Sequence, residues 1–173
     1  MSAIIDLKSK RGIVLLCYCL LILLTVAFIF NNSLFSKDES GAQSGALARL
    51  LKPIFDPLDK LPFEEFEHII RKAAHFSEFG LLGLECALLA FHISRGFKIR
   101  DAVYSAFATL LVADLDELLQ LFTERGSRVS DVFIDFSGAV CGIAAGYAAA
   151  ITVRAIYRRL GNNKNKPTDR TAA

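Results

Sequence analysis

Apolar positions along the chain fall into four long blocks separated by polar stretches. The first, GIVLLCYCLLILLTVAFIF from Gly12 to Phe30, runs nineteen residues without a charge. A helix needs roughly 20 such residues to cross a bilayer core, so a spanning helix is predicted over about 12–30. Three more blocks, about 72–92, 102–122 and 132–153, are as long but less pure. The second carries Lys72, His75, Glu78 and Glu85, and the third carries Asp114, Asp116, Glu117 and Gln120. The pattern predicts an all-α membrane protein built as a four-helix transmembrane bundle.

Between the first two blocks lies a polar, turn-rich stretch with Pro53, Pro57 and Pro62. Within it AQSGALARLLKPIF places Leu47, Leu50, Leu51 and Ile54 at helical spacing. That spacing predicts an outer interfacial or re-entrant helical segment between helices 1 and 2. LPFEEFEHII extends the pattern with Phe63, Phe66, Ile69 and Ile70, and is assigned to the same cap. In the fourth block Gly138, Gly142 and Gly146 recur every four residues. Glycines so spaced let helix backbones approach closely. Packing inside the bundle is the expected use, with a homodimer through this stripe as the alternative. The domain is expected over 1–160, and the polar GNNKNKPTDRTAA, 161–173, is expected to be a disordered cytoplasmic tail.

Composition agrees with lipid as the solvent: 53% of residues are hydrophobic and mean hydropathy is +0.41. Lys8, Lys10 and Arg11 before the first block also suit a secretory signal. A signal's apolar region spans about 7–15 residues and ends at a small-x-small site. This block is longer and runs into NNSLFS, so it is read as an anchor. Basic residues crowd one side: that N-terminal group, then Arg95, Lys98 and Arg100, then Arg154, Arg158, Arg159, Lys164 and Lys166. By the positive-inside rule both termini are expected in the cytoplasm, with the 31–71 and 123–130 loops outside. With a net charge of only +2, no nucleic-acid partner is expected. Cys17, Cys19, Cys86 and Cys141 all fall in predicted spans without metal-ligand spacing, so neither a disulfide nor a metal site is assigned from them.

Charge inside a bilayer is expensive and faces protein or water. At about 100° per residue, His75 and Glu78 lie about 60° apart on one face, with Lys72 flanking and Glu85 deeper on the same stripe. Asp116, Glu117 and Gln120 share an arc of about 100°, with Asp114 to one side. Asp131 and Asp135 lie on the face of the glycine stripe. Counting along each span brings these residues, with Arg125 and Arg128 of the intervening loop, to one outward-facing level. Buried ion pairs that hold helices in register are one reading of such a set. Buried pairs seldom return their desolvation cost in stability, however, and so many polar residues at one level point to a functional site.

These stretches resemble the VanZ-like family of bacterial membrane proteins. The resemblance rests on RKAAHFSEFGLLG, DELLQLF and DVFIDFSGAVCG, with FIFNNSLFSKDESGAQSGAL upstream, and spans most of Phe28 to Gly142. It implies Lys72, His75, Asp116, Glu117, Gln120, Arg125, Asp131 and Asp135 as motif positions. One departure is the turn after Gln-x-Phe. The family commonly has Pro-Gly-Arg there, whereas this chain reads TERGSRVSD and is one residue shorter. Arg125 then takes the motif arginine's place, with Arg128 as the alternative. The resemblance also implies a place in the cell envelope and a link to low-level antibiotic resistance of the teicoplanin type.

Two functions compete for the same residues. One is binding or handling of an anionic amphiphile, such as a polyprenyl-linked wall precursor or a lipoglycopeptide, alongside membrane lipids. Lys72, Arg125 and Arg128 would engage its phosphate or carboxylate, with His75, Gln120, Asp131 and Asp135 completing the ligand-binding set. The other is an enzyme acting on a lipid-linked phosphate, with His75, Glu78, Asp116 and Glu117 as catalytic candidates in acid–base roles. A His with Asp/Glu partners is also the type of set that holds a divalent cation. No serine or cysteine nucleophile accompanies the motif, and no phosphate-binding signature of lipid phosphatases is present. A transporter using Glu85 and His92 as deeper steps is disfavoured, since four spans are few and no inverted repeat shows.

Overall fold

Five helices follow one another in the computed structural model: α1 (Lys10–Ser33), α2 (Lys37–Phe55), α3 (Phe63–Ser94), α4 (Ile99–Leu121) and α5 (Val129–Lys164). The structure describes residues 10–35, 37–123 and 128–164, with the backbone alone at 10, 37–40 and 161–164. The described chain is all helix and turn, as the apolar pattern predicts. Residues 165–173, most of the predicted tail, lie outside the described residues.

α1 is apolar on every side, so most of it faces outward, with Leu23 and Leu24 strongly exposed. One narrow stripe turns inward: Thr25, Ile29 and Ser33, four residues apart, are buried. α2 lays Ala48 against α3 and leaves Leu50, Ile54 and Phe55 uncovered, an exposure that suits the predicted interfacial segment.

α3 departs from expectation at its start. The FEEFEHII part of LPFEEFEHII is not part of a separate cap; it forms the first turns of α3 itself. Pro62 precedes the helix with φ −53°, already close to helical, and Glu64 and Glu65 in the first turn complement the helix dipole. No breaker follows until Arg95, which takes a left-handed φ of 56°. The 32 residues of α3 extend about 48 Å, well beyond a hydrocarbon core of about 30 Å.

Three helices, α1, α3 and α5, are long and apolar enough to cross a membrane. α4 does not meet that description, because Asp114, Asp116 and Glu117 interrupt its apolar stretch.

The centre of the fold is a close α3–α5 seam. A Cβ on Gly142 would overlap the Gly80 carbonyl oxygen, one on Gly138 the Phe76 carbonyl, and one on Gly83 the Ala139 carbonyl. The glycine stripe of α5 is therefore used inside the chain, against α3. α1 and α4 pack onto this pair. Ile29, Phe79, Leu82, Ala113 and Ala139 bring four helices to one core, and Ala87, Ile143 and Tyr147 form a second further along.

Candidate polar site at one end of the bundle

The last turn of α1, the first half of α3, the last two turns of α4 and the first two turns of α5 meet at one end. The periodicities that put charges on single faces of α3, α4 and α5 aim those faces at one another. Asp116 and Asp135 are fully buried, and Glu117 and Gln120 nearly so.

Asp116 is held from two sides. The Ser33 hydroxyl donates to its Oδ1 at 2.6 Å, and Gln120 Nε2, one turn along, donates to its Oδ2 at 3.0 Å. Thr123 closes the layer by donating to the Ser33 carbonyl at 3.2 Å. Glu117 accepts the Arg128 backbone N–H on Oε2 at 3.0 Å, while its buried Oε1 has no hydrogen-bond partner. On the α3–α5 side Lys72 forms an ion pair with Asp131. His75 Nδ1 stands 3.7 Å from Asp135 Oδ1, beyond hydrogen-bond length. Neither Asp135 oxygen accepts a hydrogen bond. Glu78 accepts Asn32 Nδ2 at 3.1 Å from α1.

One ligand atom from each of His75, Asp116 and Asp135 falls within a set spanning no more than 4.8 Å. Two carboxylates and an imidazole at that separation suit either acid–base chemistry or a shared cation.

Of the residues singled out from sequence, Lys72, His75, Glu78, Asp116, Glu117, Gln120, Asp131 and Asp135 all reach this end of the bundle. Arg125 lies outside the described residues. Arg128 reaches the site through its backbone, with its side chain exposed at the rim. Asp114 faces outward. Glu85, placed deeper by the sequence, is buried and accepts the Thr25 hydroxyl at 3.0 Å.

Sequence reasoning did not assign Asn32 or Ser33 to the site. Their signal was present as NNS directly after an uncharged run, where polar side chains on a lipid-crossing helix need partners.

Acid dominates inside, and base dominates at the opposite end. There a cavity of about 810 Å³ opens between α1, α3 and α5, lined among others by Arg11, Tyr18, Phe91, His92, Arg95 and Arg154. The Arg11 guanidinium donates to the Ile93 carbonyl at 3.1 Å. That of Arg154 donates to the Arg95 carbonyl and lies 5.9 Å from the Phe91 ring centroid.

A family model described as VanZ/LLP1 matches residues 15–151. That stretch includes every side chain of the polar end. No curated protein and no solved structure matches the chain.

Proposed function

This chain belongs to the VanZ-like family, and from that premise we propose that its polar end binds or handles an anionic amphiphile. A lipid-linked wall precursor or a lipoglycopeptide has the required chemistry, and low-level resistance of the teicoplanin type would follow from such handling. In this reading α4 is the fourth spanning helix, both termini are cytoplasmic, and the polar end faces outward. A multi-pass topology of that kind puts the site where wall precursors are exposed.

One juxtaposition carries the reading. Buried polar side chains occupy the interior of the helix ends, while Phe122, Val129 and Phe133 stand 84%, 75% and 67% exposed on the outside of the same ends. An amphiphile matches both features: its tail lies along the apolar exterior and its headgroup turns inward past Lys72 and Arg128. Lys72 and Arg128 supply the point charge and the planar fork that phosphate or carboxylate recognition uses.

The purified protein in neutral-lipid nanodiscs would be titrated with a polyprenyl phosphate and, separately, with the uncharged polyprenol. We expect at least tenfold preference for the phosphate, reduced in Lys72→Ala. Equal affinity for the two would remove the headgroup from the reading. Labelling of Ser130→Cys in a cysteine-free background tests orientation; modification only after permeabilisation would invert it.

The His75–Asp135 pair supports a second reading, a membrane enzyme acting on a lipid-linked phosphate. Asp135 is placed to orient the imidazole of His75 as a general acid or base. Release of phosphate from a polyprenyl diphosphate, lost in His75→Ala while the protein accumulates normally, would favour it. An inert wild-type protein would leave binding alone.

A further inference from the structure

The proposed ligand is an anion, yet the interior of the site is acidic. Asp116, Glu117 and Asp135 are buried together. Among the described residues, Asp135 lies in the field of Asp116, Glu117 and Asp131, with Lys72 an opposing charge. Lys72 is already engaged with Asp131. An anionic headgroup that passes Lys72 and Arg128 still meets the charge of these buried acids unless a positive charge comes with it.

We propose that His75, Asp116 and Asp135 bind a divalent transition cation of the Mn²⁺ type, which bridges the protein to the anionic headgroup of the amphiphile. The bridging part rests on the function proposed above; the cation site stands on its own residues.

Three observations carry the cation site. Imidazole with carboxylate oxygens is a donor set for divalent first-row metals rather than for soft thiophilic ions. Around a cation with bonds of about 2.1 Å, ligand atoms stand no more than about 4.2 Å apart. The present set, within 4.8 Å, therefore needs only a small inward closure. Asp135 supplies the independent sign: it is 0% exposed and both of its oxygens lack a hydrogen-bond donor. Buried carboxylates are hydrogen-bonded, paired or bound to metal, and the His75 imidazole that pairs with Asp135 stands off at 3.7 Å, beyond hydrogen-bond length.

Asp116 shows the complementary feature. Its two oxygens are oriented by Ser33 from α1 and Gln120 from its own helix, at 2.6 and 3.0 Å. Donors of this kind around a ligating carboxylate fix its direction, and their loss typically weakens metal binding about 10–100-fold. Both Asp135 oxygens keep their lone pairs for a cation. The three ligands come from α3, α4 and α5, so the cation would join the helices whose convergence makes the site.

The test uses the full chain in detergent, stripped with chelator and titrated with Mn²⁺ alone, read by the loss of the free-ion paramagnetic resonance signal. We expect saturable binding of about one ion per chain. Asp135→Asn and Asp116→Asn should each weaken it at least tenfold, and Ser33→Ala by a factor within the range above. Ser33→Ala leaves all three proposed ligands in place and removes only a donor to Asp116, so it reads the site even if a carboxylate variant fails to fold. Absence of saturable binding to the wild type would overturn the site. Binding undiminished in all three variants would overturn it equally.

Polyprenyl phosphate binding would then be measured with and without Mn²⁺. A cation dependence of tenfold or more supports the bridge. Unchanged lipid affinity would overturn the bridge alone. Cation binding with no lipid binding under either condition would end the amphiphile reading and leave the cation site standing.

Discussion

The two ends of the bundle are both rich in charge, and they treat it in opposite ways. At the basic end, Arg11 and Arg154 have carbonyl partners near the C-terminus of α3, and Arg154 lies over an aromatic ring. Their side chains remain at the surface, around an open cavity. At the acidic end the charge is drawn inside, and Asp135 has no donor for either oxygen. Long basic side chains that reach the water interface cost little and orient a membrane protein. A buried carboxylate without hydrogen-bond donors is expensive, and buried ion pairs seldom return that cost in stability. The difference teaches which charges to read as function: the ones whose burial no hydrogen-bond donor explains.

The largest expected effect defines what loss of the whole structure looks like. Gly142→Leu puts a side chain into the Gly80 carbonyl, so the α3–α5 seam has to open, at a cost of about 4 kcal/mol or more. Both ends should fail together, seen as loss of the monodisperse species in size-exclusion chromatography. A well-folded Gly142→Leu would mean the seam is looser than its backbone contacts indicate.

Asp135→Asn should break only one end. If Asp135 held helices in register, its loss would cost about 3–5 kcal/mol, as for one partner of a buried ion pair. If burial without donors marks function, the variant should keep its melting temperature or gain, while ligand binding at the polar end falls. Thermal melts of the two proteins in the same detergent separate the outcomes. A large loss of stability would return Asp135 to a structural role.

The sequence disclosed this contrast unevenly, for physical reasons. Helical periodicity put His75, Asp116 and Asp135 on inward faces, because charge in a lipid-crossing helix is costly against lipid and favours protein or water. It also marked the Gly138, Gly142 and Gly146 face as the packed one. Hydropathy missed the true start of α3, since Phe63–Ile70 is too polar for a span yet contains nothing that breaks a helix. Pairings between helices were out of reach. That Ser33 holds Asp116, or that Lys72 pairs with Asp131 and not with an acid of α4, depends on rotations about helix axes that no single-helix pattern encodes.

A smaller effect is expected at the basic end. Arg154→Ala removes one carbonyl bond and one cation–ring contact at an exposed site, together about 1–2 kcal/mol at most. Amphiphile and Mn²⁺ binding at the polar end should be unchanged. A tenfold change in either would show that the ends are coupled, and the contrast between them would lose its force.

The smallest expected effect sharpens the comparison with an acid outside the spans that does have its donors. Asp56, just after α2, accepts the Lys60 and Leu61 backbone N–H groups at 3.0 and 2.9 Å, and Lys52 Nζ at 3.0 Å. The two backbone donors, followed by the ammonium, hold its carboxyl down at about 2, against an ordinary value of 3.8. A depressed folded-state value means that its stabilising contribution is complete above the unfolded value and is lost as pH falls through the folded one. The turn leading to Pro62 should therefore loosen between about pH 4 and pH 2. Protection factors of the Lys60 and Leu61 amides, corrected for intrinsic exchange, would report it, and Asp56→Asn should lower them already at neutral pH. Protection that persists unchanged to pH 2 would mean that the donors around Asp56 do not hold its charge. A fully satisfied acid would then no longer be the reference against which Asp135 stands out.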